Sequence, residues 1–430
     1  KELKEDTGTY KKGDLVIDMA QAKRGYANHI LYKGSNESAW AAMYAELLVN
    51  FPDMKGFKAE PVFKDGLFAG KLGEVTTTRA TRTSEIDPKA PYYVIANTSA
   101  SAVQAVNKAI SQGKSVYLTD DGYIVDRDTF ASLLPNYAIY GEALYKVPNG
   151  PTLKPLKIYS PNYHYDWTGV DAPAHTSLVL EKLGFQIVDT PDEADVIVLE
   201  NNRFDASIFG KKPTLVIGGE AMQKLEKLGV LSGFDAEKLK GGSDYEGLMK
   251  AIIDDQDPLT SGYKKNALFY SNSGNWIEKV PNNFKTLMSI ASSDYYIAGW
   301  WPKNEVLANK VMAISGELLG QPLFVYAGNP TNRQHPVHFF RWVTNAIFGS
   351  ELATLTDYVP PKDPDRVGVP IHNQTLVQAV NYQASPAVQE QAKAELLPET
   401  GESSSTHFVL SSFLLAVSGG FLLLKKKEVE

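Results

Sequence analysis

Two histidines in the last quarter of the sequence are spaced as metal ligands often are. His335 and His338 lie three residues apart, in a segment that also holds Arg333 and Arg341. A metal site needs further ligands, and neighbouring guanidinium groups repel a cation. We therefore expect both histidines to have structural roles, at the junction between the last strand and the last helix of the fold.

A second segment is rich in carboxylates: Asp120, Asp121, Asp126 and Asp128. It lacks the spacing and the closing glutamate of an EF-hand, which disfavours a calcium loop. The sequence Asp120-Asp121-Gly122 is typical of a turn, and we expect Asp128 to cap a helix that begins near Thr129. None of the seven histidines has a glutamate three residues later, so the zinc motif His-x-x-Glu is missing from this sequence. We predict no metal site and no cofactor in this chain.

The glycine-rich segment 214–222 is typical of a strand, a tight turn and a helix. In acyl-transfer enzymes such a turn presents a nucleophile at the carboxyl end of a strand. In class I glutamine amidotransferases and their relatives the turn carries a cysteine, whereas here it holds Gly219, Glu220 and Ala221. The chain has no cysteine at all, which excludes thiolate catalysis, disulfides and cysteine-ligated metals. We expect a structural turn with Glu220 favouring the helix N-terminus, and we predict no catalytic residue.

Two groups of aromatic residues could stack on sugar rings. The first contains Tyr163, Tyr165 and Trp167. The second contains Tyr295, Tyr296, Trp300 and Trp301. Packing in the core and anchoring of loops explain such residues more often. A surface binding module or adhesin that recognises glycan or host protein nevertheless stays open as an alternative function.

Strand-like and helix-like segments alternate over residues 151–350. The predicted strands are 157–159, 185–188, 195–199, 214–217, 267–270 and 321–326. The predicted helices are 175–183, 220–228, 245–254 and 338–347. This alternation predicts an α/β domain with an open, mostly parallel, doubly wound sheet of the flavodoxin-like or class I amidotransferase-like type. In such a sheet, chemistry belongs at the carboxyl ends of the strands.

Residues 1–150 show the same alternation less regularly, and we expect a smaller N-terminal α/β region there. Strands are predicted at 92–96 and 115–118, and a helix at 101–111. Segments 15–19 and 63–68 are further candidate strands, and the polar segment 76–83 is also β-prone. The sequence leaves open whether this region is an independent domain or packs against residues 151–350.

The C-terminus has three parts in a fixed order. The first is a pentapeptide of Leu397, Pro398, Glu399, Thr400 and Gly401. An apolar run follows at 408–424, and three consecutive lysines come after it. At about 1.5 Å per residue the run would form a helix of roughly 26 Å, which can lodge in a bilayer core about 30 Å thick. Because lysines resist translocation, we expect a hydrophobic anchor helix that holds the chain in the membrane during transit.

This arrangement resembles the LPxTG sorting signal of Gram-positive surface proteins, the substrates of sortase. The resemblance implies that a sortase cysteine attacks the carbonyl of Thr400 and releases the chain from Gly401 onwards. An amino group of the peptidoglycan cross-bridge then takes over the Thr400 carbonyl. The protein would thus be secreted and covalently anchored to the cell wall, with residues 397–430 as the sorting signal. Residues 351–396, rich in Pro, Ala and Gln, would form either a spacer through the wall or a disordered tail that only connects the folded part to the sorting signal.

Four further stretches resemble large bacterial zinc carboxypeptidases of the carboxypeptidase A type. They are residues 18–28, 92–98, 298–302 and 329–336, and the resemblance extends over residues 10–350 or so. It implies that this chain is the non-catalytic C-terminal part of such a protein, or a separately encoded remnant of one, with an amidotransferase-like domain near its end. Zinc is then expected only in a peptidase domain upstream of Lys1. The lack of an initial methionine and of a signal peptide fits the same expectation.

The composition of the chain bears on which classes of partner it can bind. The net charge of −7 argues against nucleic-acid binding, which needs a basic patch. A hydrophobic content of 43% is ample for folded cores. The resemblances described above imply four partners: sortase, the peptidoglycan cross-bridge, the membrane during transit and an upstream peptidase domain. An amidotransferase-like hydrolase is the least favoured function, because the nucleophile is missing.

Overall fold

The computed structural model describes residues 3–5, 8–10, 14–40, 50–73, 86–165, 169–239, 245–349 and 352–357. These residues lie within one compact unit, Lys1–Pro364. The sorting pentapeptide, the predicted anchor helix at 408–424 and nearly all of the predicted spacer fall outside the described residues. Among the helices in the described ranges, none has the length and apolar character needed to cross a membrane.

The described residues contain seven α-helices and 22 strands. The helices are α1 (Arg24–Leu31), α2 (Phe51–Lys55), α3 (Ala100–Ser111), α4 (Arg127–Leu133), α5 (His175–Lys182), α6 (Gly219–Leu228) and α7 (Phe340–Phe348). The strands before residue 150 are β1 (Leu3–Glu5), β2 (Gly8–Tyr10), β3 (Tyr92–Ala96), β4 (Tyr117–Leu118), β5 (Gly122–Asp126), β6 (Gly141–Leu144) and β7 (Lys146–Asn149). The later strands are β8 (Lys157–Tyr159), β9 (Tyr163–Tyr165), β10 (Val170–Ala172), β11 (Gln186–Val188), β12 (Val196–Leu199), β13 (Thr214–Ile217), β14 (Asp235–Lys238), β15 (Glu246–Ile253), β16 (Asn266–Ser271), β17 (Asn275–Lys279), β18 (Lys285–Ile290), β19 (Tyr296–Trp300), β20 (Val311–Leu318), β21 (Gln321–Tyr326) and β22 (Thr354–Asp357).

Five parallel strands form one half of a twelve-stranded sheet, in the order β11-β8-β12-β13-β21. The central strands β12 and β13 are buried at every position. Their continuous Val, Ile and Leu runs suit strands that are covered on both faces. Helices α5 and α6 agree within one residue with the helices predicted over 175–183 and 220–228. The mixed α/β class and this parallel half therefore agree with the prediction.

The other half of the sheet is antiparallel, which corrects the prediction of a mostly parallel sheet. β20 pairs antiparallel with β21, from Ala313 opposite Tyr326 to Leu318 opposite Gln321. The order then continues through β18, β15 and β16, with β14, β17 and β19 paired beside them. The two-residue connection Leu319-Gly320 has φ values of 53° and 77°. Positive φ at both positions gives a tight hairpin turn, and such a turn makes its two strands antiparallel neighbours.

The sequence predicts a helix over 245–254, whereas the structure has strand β15 there. Its last residues alternate between exposed and buried, which is a period of two rather than 3.6. It pairs with β16 on one side and with β18 and β19 on the other, so its backbone groups have partners in the sheet. The predicted strands at 15–19 and 63–68 are not strands in the structure, and the segment 76–83 lies outside the described residues.

The region before residue 150 contains a four-stranded antiparallel sheet in the order β4-β5-β3-β6. The predicted strand at 92–96 and helix at 101–111 are confirmed as β3 and α3. Ser99 caps α3 by accepting a hydrogen bond from the N–H of Ala102. The predicted strand at 115–118 is shorter, since β4 contains only Tyr117–Leu118.

Side-chain hydrogen bonds join this region to the later residues, which answers the question that the sequence left open. The Asn97 amide nitrogen donates to the carbonyl oxygen of Ser261 at 3.2 Å and to Oδ1 of Asn345 at 2.9 Å. The Asn107 amide nitrogen donates to the carbonyl oxygen of Leu183 at 2.9 Å. These contacts are buried. The two regions therefore pack together, while the predicted boundary at residue 150 stays a prediction.

Strand β22 lies inside the segment predicted as a spacer. It pairs antiparallel with β7, from Thr354 opposite Asn149 to Asp357 opposite Lys146. The N–H of Ala353 also donates to the carbonyl oxygen of Leu118 at 2.8 Å. Threonine favours strands, and β7 offers these residues a free edge to pair with. The folded body thus continues past the predicted boundary at residue 350.

Candidate functional site

The carboxyl ends of the parallel strands carry an unusual set of polar residues. Glu200 follows β12, Gly218 follows β13 and Asn329 lies three residues after β21. In open α/β sheets, ligands bind at this edge of the sheet. It is therefore the candidate functional site of the fold.

Glu200 holds the N-terminus of helix α5. Its Oε1 accepts a hydrogen bond from the N–H of His175 at 2.6 Å. Its Oε2 accepts one from the N–H of Thr176 at 2.9 Å and another from the Thr176 hydroxyl. Burial raises the pKa of Glu200, and the hydrogen bonds oppose that shift. Because both carboxylate oxygens serve the helix N-terminus, the arrangement suits positioning of α5 rather than proton transfer.

A chain of polar contacts continues from α5 to the loop after β21. The hydroxyl oxygens of Thr176 and Thr331 are 2.7 Å apart, and the Thr331 hydroxyl donates to Asn329 Oδ1 at 3.2 Å. In the same loop, the amide nitrogen of Asn332 donates to the hydroxyl of Tyr270 at 2.9 Å. Burial raises the pKa of Tyr270, so this phenol stays protonated and can donate in turn. The loop after β21 is thereby held by α5 on one side and by β16 on the other.

The turn after β13 has the predicted order of strand, turn and helix. Gly218 has φ 82° and ψ 158°, a conformation that only glycine adopts readily. A Cβ on Gly219 would lie 1.9 Å from the amide nitrogen of Asn275, so a side chain does not fit there. Glu220 lies in the first turn of α6, as expected, and burial raises the pKa of its carboxyl group. The start of α6 is thus closely packed against Asn275.

His335 and His338 are not brought together as a pair of ligands. His338 Nδ1 lies 3.1 Å from Nη2 of Arg341. Burial, with a contribution from the Arg341 charge, lowers the pKa of His338 to about 3. His335 instead packs its ring against Phe51, with ring centroids 5.1 Å apart. In the described part of the chain, no group of three or more histidine or carboxylate side chains is placed to hold a metal ion.

The four aspartates serve separate local interactions. Asp126 caps α4, since its side chain accepts from the N–H of Thr129 at 2.8 Å and from the Thr129 hydroxyl at 2.6 Å. The prediction that Asp128 caps this helix is wrong, because α4 begins two residues earlier than expected. Asp121 pairs with Lys264 at 3.1 Å, and Asp128 pairs with the arginine beside it. The predicted turn at Asp120 and Asp121 connects β4 to β5.

The second aromatic group is built into the fold. Tyr295 and Trp301 are buried, and Tyr296 and Trp300 are half-buried. The Trp300 indole donates to the carbonyl oxygen of Trp40 at 2.9 Å and packs edge-on against Tyr245. Core packing, the alternative to sugar stacking, accounts for these side chains. Trp40 lies outside both predicted aromatic groups and is 63% exposed.

The first aromatic group is described only in part. The Tyr163 hydroxyl donates to the carbonyl oxygen of Glu200 at 2.8 Å, so this ring is tied to the carboxyl end of β12. Trp167 and the side chain of Tyr165 lie outside the described residues.

The remaining predicted site is the sorting pentapeptide, which lies outside the described residues. The LPXTG cell wall anchor motif matches residues 389–430. This chain is a cell-wall-anchored surface protein. It is secreted, processed by sortase and attached to peptidoglycan. The attachment residue, Thr400, stays a prediction. No curated protein matches the sequence.

Several solved structures are distantly similar to this surface protein. A putative GMP synthase component from Thermoplasma acidophilum is 17% identical, with a TM-score of 0.31 over 46% of this chain and 94% of that chain. A glutamine amidotransferase from Thermotoga maritima is 11% identical, with a TM-score of 0.27 over 44% and 81% of the two chains. A putative ThuA-like protein from Parabacteroides merdae is 10% identical, with a TM-score of 0.31 over 45% and 90%. At these scores the similarities carry no conclusion about this protein.

Proposed function

We propose that the folded body is a non-catalytic module of a wall-anchored, zinc-carboxypeptidase-like protein, and that it packs against the catalytic domain of that protein. The observation that carries this proposal is the large number of exposed apolar side chains between residues 14 and 73. Of the 16 large hydrophobic side chains that are exposed in the described residues, nine lie between residues 14 and 73. They are Leu15, Ile17, Met19, Tyr26, Tyr32, Trp40, Phe57, Phe63 and Leu72. We call these nine side chains the apolar segment.

The apolar segment is unusual for a free surface. Helix α1 contains no buried residue, and its Tyr26 is 70% exposed. Phe63 is 91% exposed. Single exposed hydrophobic residues are common on proteins, whereas a concentration of them in one region is typical of an interface. A peptidase domain that precedes this segment in the chain is the partner that the sequence resemblance suggests.

The candidate site supports a non-catalytic role. Both oxygens of Glu200 are engaged by helix α5, and Gly219 leaves no room for a nucleophile. Arg341 lies against His338, where a metal would otherwise need to bind. These contacts therefore suit a domain that packs against another domain on the cell wall and does not catalyse a reaction. Zinc is expected only in the upstream domain.

The test begins with the gene upstream of the codon for Lys1. We expect an open reading frame that encodes His-x-x-Glu and a distant second histidine. The longer protein should bind one zinc ion and cleave C-terminal residues from peptides, whereas the 430-residue chain should do neither. An upstream sequence without such a frame would end the proposal. Stoichiometric zinc together with peptide hydrolysis by the 430-residue chain would also end it, and His335 and His338 would be mutated first.

A second candidate function is a displayed binding module that recognises glycan or host protein. The observation in its favour is Trp40, because an exposed indole is a good platform for a sugar ring. Binding of the full chain to a glycan or matrix-protein array, lost in Trp40→Ala, would support this function. Absence of binding on both arrays would count against it.

A further inference from the structure

A group of positively charged and imidazole side chains gathers at the carboxyl edge of the parallel strands. Its members are Arg333 and His335 from the loop after β21, His175 from the start of α5, and Lys55 from the end of α2. We call these four side chains the cationic cluster. The chain has a net charge of −7, so overall composition does not account for this concentration of positive charge.

The loop that carries Arg333 has a constrained backbone. Arg333 and Gln334 are consecutive residues with φ values of 49° and 60°, in the left-handed region. For residues other than glycine this conformation costs about 1–2 kcal/mol each, and it is concentrated at functional sites. The loop is held by the contact between Thr331 and Thr176, and by a hydrogen bond from Lys182 to the Gln334 side chain. These contacts hold the backbone in the conformation that leaves Arg333 exposed.

Helix α2 brings Lys55 to the same loop. The ammonium group of Lys55 donates to the carbonyl oxygen of His335 at 2.8 Å, and the neighbouring Phe51 packs against the His335 ring. Burial lowers the pKa of His335, and the charges of Lys55 and Arg333 lower it further. Burial and the charge of Arg333 likewise lower the pKa of His175. At neutral pH both imidazoles are therefore uncharged and can still donate one hydrogen bond each.

The cluster lacks counter-ions within the described residues. Neither Arg333 nor Lys55 forms an ion pair with a carboxylate in the ranges that the structure describes. Nδ1 of His175 is buried and has no hydrogen-bond partner among the described residues. Two nearby carboxylates have other hydrogen-bond partners: Glu200 is engaged by α5, and Glu246 accepts a hydrogen bond from Tyr270 at 2.7 Å.

We propose that the cationic cluster is a binding site for a phosphate dianion, either free or as the terminal phosphate of a larger ligand. The positive charges of Arg333 and Lys55 match two negative charges, although burial lowers the pKa of Lys55. A guanidinium fork also suits phosphate oxygens. The two imidazoles supply additional donors. A monovalent carboxylate would leave one of the two positive charges without a partner. The site is independent of the proposed packing role, because it uses none of the nine side chains of the apolar segment.

Isothermal titration calorimetry of the full chain in mild detergent tests this site, at pH 7.5 and constant ionic strength. We expect saturable 1:1 binding of inorganic phosphate, weakened at least tenfold by Arg333→Asn. Asparagine tolerates the left-handed backbone, so this substitution removes the charge while the loop conformation is retained. The matched control is Lys303→Asn, which removes an exposed lysine with φ 64° outside the cluster. It should leave binding unchanged.

Three results with inorganic phosphate would overturn the proposal. They are no saturable binding by the wild-type chain, equal binding by wild type and Arg333→Asn, and equal weakening by Arg333→Asn and Lys303→Asn. Acetate that binds as strongly as phosphate would also overturn it, since the site would then not select a dianion. Glycerol 3-phosphate distinguishes the two sources of the ligand. Tighter binding than that of inorganic phosphate assigns the site to a phosphate ester, and equal or weaker binding assigns it to free phosphate.

Discussion

Nη1 of Arg341 donates a hydrogen bond of 2.6 Å to the carbonyl oxygen of Asn97. The same nitrogen donates to the carbonyl oxygen of Gly262, also at 2.6 Å, and the guanidinium lies 4.0 Å from the ring centroid of Tyr263. Arg341 is only 3% exposed and forms no ion pair with a carboxylate in the described residues. Carbonyl dipoles and an aromatic face therefore stabilise this buried charge. Through it, α7 is joined to the residues after β3 and to the connection before β16.

Arg341→Met is expected to lower the free energy of unfolding by about 3 kcal/mol. The buried carbonyl group of Asn97 and the partly buried one of Gly262 lose their donor. An unsatisfied buried group costs about 1–3 kcal/mol. Urea denaturation of the full chain measures the change. Arg203→Met is the control, because Arg203 forms an exposed pair with Asp171 at 2.8 Å and such pairs contribute about 1 kcal/mol or less. Equal losses in the two variants would contradict the role given to Arg341.

His338 makes stability depend on pH. Its pKa is about 3 in the folded protein, against an ordinary value of 6.5. Above pH 6.5 the imidazole is neutral in both states, so it has no effect. Below pH 6.5 the unfolded chain takes up a proton that the folded protein does not, and stability falls by up to about 1.4 kcal/mol per pH unit down to pH 3.

The expected loss from His338 between pH 7 and pH 5 is about 2 kcal/mol. Urea denaturation at the two pH values measures it, and His338→Gln should show a smaller loss than wild type. His29→Gln, which changes an exposed histidine on α1, should behave as wild type does. An unchanged pH dependence in His338→Gln would show that other groups produce it.

Glu200→Ala should destabilise the protein by about 3 kcal/mol or more. Three donors at the start of α5 lose their acceptor, and each buried unsatisfied donor costs about 1–3 kcal/mol. Glu220→Ala, at the first turn of α6, should cost less than about 1 kcal/mol. Thermal and urea unfolding of both variants compare the two sites. If Glu200→Ala lowers the free energy of unfolding less than Glu220→Ala does, burial of the Glu200 charge itself destabilises the protein.

Gly219→Ala should cost about 1–3 kcal/mol, because the new methyl group would lie 1.9 Å from the Asn275 amide nitrogen. Gly25→Ala is the matched control. A Cβ at Gly25 would meet no atom within 4 Å, and alanine favours a helix over glycine. Its stability should equal or exceed that of wild type. Tolerance of Gly219→Ala would show that Asn275 moves aside easily.

Thr400→Ala should abolish covalent attachment to the wall. The resemblance to sortase substrates predicts cleavage at the carbonyl of this residue, and we therefore expect at least a tenfold drop in protein released by muramidase. Ser404→Ala, in the polar stretch after the pentapeptide, serves as the control and should be attached normally. Undiminished wall attachment of Thr400→Ala would place the cleavage point elsewhere.

The sequence by itself determined the cell-wall anchor, because a sorting signal is a short, contiguous pattern that a processing enzyme reads as an extended peptide. It also determined the elements whose signal is local. The apolar runs of β12 and β13 and the capped helix α3 were predicted within a residue or two.

Only the tertiary structure decided the features that depend on residues far apart in the chain. Residues 246–253 form a strand because β16, β18 and β19 supply backbone partners, whereas their sequence alone also suits a helix. The cationic cluster unites side chains from positions 55, 175, 333 and 335. Arg341 is buried because carbonyl groups from two distant segments converge on it. Such partners are chosen by the packing of whole elements, and no local window of sequence contains them.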